Sequence, residues 1–100
     1  MLNPPMPKEI KKGEEMYWKL FFGETFKATF EVQQQMRERF GKWATDATVG
    51  RMYRQLRQKY GDETNPESEW HFSQITPEGK PYDCYRIQRK QTHNVQAELF

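Results

Sequence analysis

Apolar side chains recur at helical spacing between residues 8 and 60. The pattern predicts three helices, each followed by a glycine, over about 8–22, 26–40 and 46–60. Thr25 is the predicted N-cap of the second helix, and Thr45 or Asp46 caps the third. The apolar residues of the third helix fall within an arc of about 100°, so we expect that side to face the core. The wider apolar arc of the second helix includes Phe26 and Phe30.

The pattern changes after residue 60, where polar and turn-forming residues replace the helical repeat. Residues 61–68 form an acidic loop, and strand-like stretches follow over about 69–75 and 82–90. Between them, Pro77 and Gly79 stand at the second and fourth positions of Thr-Pro-Glu-Gly, which suits a type I turn in a hairpin loop. Four apolar side chains offer matching strand faces: Trp70, Phe72, Tyr85 and Ile87.

The predicted fold class is mainly α with a small β-hairpin, in a single domain over 8–90. A Pro-broken extended segment over 1–7 precedes this domain, and a mostly polar tail follows over 91–100. The length of 100 residues suits one small domain. Because aromatic residues make up 15% of a chain whose net charge is only +2, we expect a folded protein with an aromatic core.

Several protein classes are excluded by the same sequence. The longest uninterrupted apolar run, 20–22, is far shorter than the roughly 20 residues that a membrane span needs. The first residues lack the apolar stretch of a signal peptide, and the single cysteine, Cys84, cannot form an internal disulfide. We therefore expect a cytoplasmic protein in a reducing compartment.

Positive charge is concentrated between residues 37 and 60. Two acidic residues, Glu38 and Asp46, lie in this stretch. The basic residues there are Arg37, Arg39, Lys42, Arg51, Arg54, Arg57 and Lys59. The small net charge of the whole chain hides this asymmetry, which is what a polyanion would respond to.

The third predicted helix carries a polar face opposite Val49, Tyr53 and Leu56. That face consists of Thr48, Arg51, Arg54, Gln55 and Gln58. Arg can bind guanine through two hydrogen bonds, and Gln can bind adenine in the same way, so these residue types suit the reading of base edges in the major groove. The alternative interpretation is an ordinary surface helix whose Arg and Gln side chains are solvated.

The segment Thr48-Val49-Gly50-Arg51-Met52-Tyr53-Arg54-Gln55-Leu56 resembles the recognition helix of winged helix-turn-helix proteins. The hairpin over 69–90 resembles their wing. The resemblance implies a three-helix winged helix-turn-helix domain whose third helix enters the major groove of DNA. It implies phosphate contacts from Lys42 and Trp43 before that helix and from the wing residues Lys80, Arg86 and Arg89.

The last five residues, Gln96-Ala97-Glu98-Leu99-Phe100, resemble the peptide motif that binds the bacterial sliding clamp. Gln96, Leu99 and Phe100 match that motif, which implies the clamp as a partner. In the alternative interpretation, Leu99 and Phe100 fold back onto Trp18 or Phe22 and complete the core.

Residue types that carry catalysis or bind metals lack the necessary spacing. His71, His93 and Cys84 do not form a zinc pattern, and no nucleophile–base set or phosphate-binding glycine loop is present in the sequence. We therefore expect neither a cofactor nor an enzymatic activity.

The leading hypothesis is a non-enzymatic protein that binds double-stranded DNA, a phage or bacterial replication or repair accessory held at the clamp by its tail. The alternatives are a transcriptional regulator without clamp binding and a protein–protein adaptor on a winged-helix scaffold. Because a monomer with one reading helix would bind weakly, homodimer formation through the first helix is a further expectation.

Overall fold

The computed structural model describes residues 6–61 and 67–90. Within these ranges the chain forms α1 (Lys12–Phe21), β1 (Lys27–Ala28), α2 (Thr29–Phe40), α3 (Asp46–Tyr60), β2 (Ser68–Ser73) and β3 (Cys84–Arg89). The strands form one antiparallel sheet in the order β1-β3-β2. The architecture is therefore three helices and a small three-stranded sheet, a mixed α/β arrangement rather than helices with an isolated hairpin.

Strand β1 is the main difference from the sequence prediction. Lys27 and Ala28, predicted to lie inside the second helix, pair with Tyr85 and Cys84 instead. The helix starts at Thr29, because the Ala28 amide donates to Oε1 of Glu31 over 2.8 Å and so caps the first turn. The predicted N-cap at Thr25 is wrong. A strand of two residues is too short to produce an alternating pattern, so only its pairing with β3 reveals it.

Helix α1 also begins later than the pattern predicts. The amide of Ile10 donates to the carbonyl of Pro7, and this turn occupies the residues that we expected to start the helix near residue 8. Lys11 then takes the N-cap position, where its amide donates to Oε1 of Glu14 over 3.2 Å. This turn precedes α1, which forms only from Lys12 onward. Residues 1–5 of the predicted extended segment lie outside the described range.

Helix α3 follows the sequence prediction closely. It spans Asp46–Tyr60, and its N-cap is Thr45, whose Oγ1 accepts a hydrogen bond from the amide of Thr48 over 3.1 Å. Gly41 ends the preceding helix in the left-handed region at φ 66°, a conformation that glycine adopts without strain. Both boundaries depend on local chemistry, which is why sequence predicts them.

The hairpin pairs the side chains that the sequence brings together. Trp70 faces Ile87 and Phe72 faces Tyr85 across β2 and β3. Both strands are shorter than predicted, and residues 74–83 connect them. In that connection the amide of Gly79 donates to the carbonyl of Thr76 over 2.8 Å, which confirms a turn over the four predicted residues.

The core between the helices and the sheet is aromatic. Trp18 of α1 meets Trp70 of β2 edge to face, with 5.2 Å between ring centroids, and Phe21 meets Tyr53 of α3 at 5.6 Å. Phe30, which the apolar arc of the second helix would place inside, remains 55% exposed. Within residues 6–61 and 67–90, none of the helices is both long enough and apolar enough to span a bilayer.

Candidate nucleic-acid interface

Helix α3 buries one side and exposes the other. Val49, Tyr53 and Leu56 are buried, while Arg51 is exposed on the opposite side and Arg54 is exposed on the flank that faces the sheet. Gln58 is also exposed. Neither arginine forms an ion pair with a carboxylate in the part of the chain that the structure describes. Their positive charge is therefore exposed and is not neutralised by an acidic side chain of residues 6–61 or 67–90.

Gly50 leaves space on the surface of α3 for the side chain of Arg54, from the same helix, and for that of Tyr85, from β3. A Cβ atom on Gly50 would lie 3.3 Å from both Nη1 of Arg54 and the hydroxyl oxygen of Tyr85. Although glycine weakens a helix interior by about 1 kcal/mol relative to Ala, here it lets the hydroxyl of a buried strand residue reach the helix surface. The absence of a side chain at position 50 thus leaves room for the Tyr85 hydroxyl against α3.

Gln55, predicted to read bases, is engaged inside the protein. Its Nε2 donates to Oε2 of Glu14 over 2.9 Å, and the side chain is half-buried between α1 and α3. The hydroxyl of Thr48 lies 2.9 Å from that of Thr45, and Thr48 is also half-buried. The outward set on α3 is therefore narrower than the sequence suggests, because these two polar side chains serve the helix and its packing.

The carboxylate of Glu14 joins α1 to the C-terminal half of α3. Lys59 Nζ donates to Oε2 over 2.8 Å, and the hydroxyl of Tyr60 donates to Oε1 over 2.9 Å. Burial by itself would raise the pKa of Glu14, but hydrogen bonds from Lys59, Gln55, the Lys11 amide and Tyr60 outweigh it and lower the pKa to about 2. The carboxylate thus stays ionised at neutral pH and fixes the position of α3 on the core.

The predicted phosphate-binding residues differ in how the fold uses them. Lys42 and Trp43 lie in the connection before α3, where both are exposed, Trp43 by 67%. Lys80 is exposed in the 74–83 connection, and Arg89 is exposed at the end of β3. Arg86, by contrast, is half-buried and engaged in a local contact.

Arg86 fastens the loop before β1 to the sheet. Its Nη1 donates to the carbonyl of Glu24 over 2.9 Å, and its guanidinium lies 5.0 Å from the ring centroid of Phe26. Opposite it across the strands lies His71, whose ring meets Phe26 edge to face. This arrangement makes Arg86 primarily a structural residue.

Two clefts flank α3 on its sheet side, and Arg54 lines both. A groove of about 580 Å³ runs between the N-terminal ends of α2 and α3 and residues 81–85. A smaller cleft of about 190 Å³, which we call the aromatic cleft, is lined by Tyr53, Arg54, Arg57, Phe72 and Tyr85. Burial raises the pKa of the Tyr53 hydroxyl to about 12, against the opposing effect of the Arg57 guanidinium.

Arg57 and Phe72 were not among the site residues predicted from sequence. Arg57 is exposed on α3 and follows Arg54 by three residues, a spacing that places both on adjacent turns of one flank. This signal was available in the sequence. The half-exposed ring of Phe72 was not predictable, because the alternation of its strand predicts an inward residue.

Other candidate chemistry is limited in the described residues. No cluster of His, Cys, Asp or Glu there could hold a metal ion. Burial raises the pKa of the Cys84 thiol, which disfavours the reactive thiolate. The tail residues Gln96, Leu99 and Phe100 lie outside the described ranges.

Comparison of the chain with models of known protein families, with curated protein sequences and with solved structures found no match.

Proposed function

We propose that this protein binds double-stranded DNA through the outward side of α3 and catalyses no reaction. The observation that carries the proposal is the exposure of Arg51 and Arg54 on a helix whose opposite side is buried. No carboxylate of the described residues pairs with either guanidinium. Gln58, exposed on the same side, adds a group that can bind a base edge.

The layout of the fold supports the same proposal. The order of elements along the chain is helix, strand, helix, helix and hairpin, and the strand order in the sheet is β1-β3-β2. This layout is compatible with a winged helix-turn-helix domain. By this analogy α3 is the recognition helix and the 74–83 connection is the wing. Lys42, Trp43 and Lys80 are exposed beside these elements and would bind phosphates on either side of the contacted groove.

The test is duplex binding measured by fluorescence anisotropy at several salt concentrations. Replacing Arg51 or Arg54 with Ala should weaken binding by about 1–3 kcal/mol each, and a lost phosphate contact should lower the salt slope by about 1. Arg39→Ala is the matched control, since Arg39 is an exposed arginine on α2 that lies over the ring of Phe40. If a variant that carries both Arg51→Ala and Arg54→Ala binds duplex as tightly as the control variant, α3 is not the interface.

The tail suggests where such binding would be used. We propose that Gln96, Leu99 and Phe100 bind a bacterial sliding clamp, which would raise the local concentration of the protein on DNA and make it a replication or repair accessory. Removing Leu99 and Phe100 should abolish clamp binding in a pull-down and leave the melting temperature unchanged. A fall in melting temperature without any clamp binding would favour tail packing and a transcriptional regulator instead.

One observation favours a protein partner as the second candidate function. The rings of Phe30 and Tyr82 pair at 5.9 Å and are 55% and 48% exposed at the edge of the larger groove. Exposed aromatic side chains are typical of protein interfaces. An adaptor of this kind would fail to bind duplex DNA at low salt. If the first proposal holds instead, replacing Phe30 and Tyr82 with Ala should leave DNA binding intact.

A further inference from the structure

The aromatic cleft contains an exposed ring that rests on two buried ones. Phe72 is 47% exposed, while Tyr53 and Tyr85 beneath it are each 3% exposed. The ring of Phe72 lies 5.5 Å from that of Tyr85 at an interplanar angle of 39°, and 6.3 Å from that of Tyr53 at 34°. One side of the Phe72 ring is therefore supported by protein, and the ring presents apolar surface to solvent in a fixed orientation.

The rim of this cleft is positively charged. Arg54 and Arg57 are both exposed and line it from the α3 side, and none of the five lining residues is acidic. An apolar ring flanked by two guanidinium groups suits a flat, π-bearing ligand that carries negative charge at its edge. A nucleobase with its flanking phosphates has this chemistry.

The floor of the cleft contains the hydroxyl of Tyr53. Tyr53 is almost fully buried, and its hydroxyl forms no well-aligned hydrogen bond with any described residue. The Arg57 guanidinium nevertheless lies close enough to act on the pKa of this hydroxyl, lowering it against the larger and opposite effect of burial. Arg57 thus connects the charged rim of the cleft to its floor, while the exposed face of Phe72 is the surface that a ligand can reach.

We infer that the aromatic cleft receives an unpaired nucleobase, stacked on Phe72 with its phosphates on Arg54 and Arg57. The inference deepens the proposed function and rests on it, because it takes nucleic acid as the ligand of α3. It specifies the substrate class as a junction between duplex and single strand. Arg54 lines both clefts, so a duplex held on α3 and a base held on Phe72 would be adjacent.

The test compares three probes bound by the full chain: a blunt duplex, the same duplex with a short single-stranded overhang, and that overhang built from abasic nucleotides. The abasic overhang keeps the phosphates and removes only the bases. Stacking of one base is worth a factor of about 5 to 150 in affinity. The overhang with bases should therefore bind at least about fivefold more tightly than the abasic overhang. This difference should appear with a 5′ overhang, a 3′ overhang or both.

Variants at position 72 connect this gain to the ring. Phe72→Leu keeps apolar bulk but removes the aromatic face, so it should abolish the difference between the two overhangs and leave blunt-duplex affinity unchanged. Phe72→Trp should preserve the difference. Tyr82→Leu is the matched control, because Tyr82 is a similarly exposed ring that packs on Phe30 instead. Thermal unfolding of each variant verifies that it is folded.

The outcomes separate this inference from the proposed function. The base site is overturned, while duplex binding stands, if the two overhangs bind with equal affinity. It is also overturned if Phe72→Leu lowers the affinity for all three probes by the same factor. Binding of the overhang with bases that depends on Phe72, without any binding of blunt duplex, supports the base site and overturns the duplex proposal. Failure to bind any of the probes overturns both.

Discussion

Nζ of Lys59, near the C-terminal end of α3, lies 2.8 Å from Oε2 of Glu14 on α1, and the Glu14 carboxylate is almost fully buried. The interaction spans 45 residues of sequence. With Gln55 and Tyr60 bound to the same carboxylate, Glu14 holds one side of α3 against the core. The opposite side of α3 is thereby kept toward solvent.

This link makes stability depend on pH in the acid range. The pKa of Glu14 is lowered from 4.5 to about 2 in the folded protein, so the native state binds the proton less readily than the unfolded chain. Its contribution is therefore complete above pH of about 4.5 and is lost as the pH falls from there toward about 2. Urea denaturation across this range should show falling stability.

Glu14→Gln should flatten that part of the profile and cost about 1–2 kcal/mol at neutral pH, because hydrogen bonds to a charged group are replaced by weaker ones. Glu15→Gln is the control, since Glu15 forms only a partly exposed pair with Lys19 on the same helix. An unchanged acid profile in Glu14→Gln would show that other carboxylates cause the loss.

Gln55 and Gln58 make a matched pair on α3, one turned inward and the other outward. Gln55→Ala removes a hydrogen bond to a buried carboxylate and should destabilise the protein by about 1 kcal/mol. Gln58→Ala, at an exposed position, should leave stability within about 0.5 kcal/mol and weaken duplex binding. Chemical denaturation and anisotropy on both variants check this division, which fails if Gln58→Ala changes neither property.

Gly50 and Tyr85 should be energetically coupled. Ala at position 50 gains about 1 kcal/mol of helix propensity, but its Cβ would lie 3.3 Å from the hydroxyl of Tyr85, which is held in the aromatic core. Gly50→Ala should therefore be more stabilising in a Tyr85→Phe background than in the wild type, by about 0.5–1 kcal/mol. A double-mutant cycle measures the difference, and additive effects would show that the hydroxyl moves aside freely.

The start of α3 depends on one hydroxyl. Thr45→Ala removes the acceptor for the Thr48 amide and should cost about 1 kcal/mol, whereas Thr45→Ser should cost much less. Thr48→Ala serves as the comparison, since the Thr48 side chain contacts Thr45 but does not cap an amide. Thermal unfolding of the three variants ranks them, and equal losses in Thr45→Ala and Thr45→Ser would contradict the capping role.

Local chemistry made α3 and the hairpin predictable. Thr45, the apolar arc around Tyr53 and the turn at Gly79 act through neighbours in sequence, and the structure contains the expected helix, buried side and turn. Strand β1 escaped prediction because its two residues are defined only by pairing with Tyr85 and Cys84. Helical periodicity places Gln55 on the outward face, whereas its partner, Glu14, belongs to another helix and meets it only through packing.

The sequence by itself determined that α3 would be an amphipathic helix with guanidinium groups opposite an apolar side, because helical periodicity depends only on the spacing of residues along the chain. Only the tertiary structure decided which polar groups on that helix remain available. Gln55 and Lys59 bind Glu14 on α1. Phe72 packs over Tyr53 and Tyr85 and forms the aromatic cleft with them, beside Arg54 and Arg57. These contacts join residues far apart in the chain, so they exist only once the helices and the sheet have packed together.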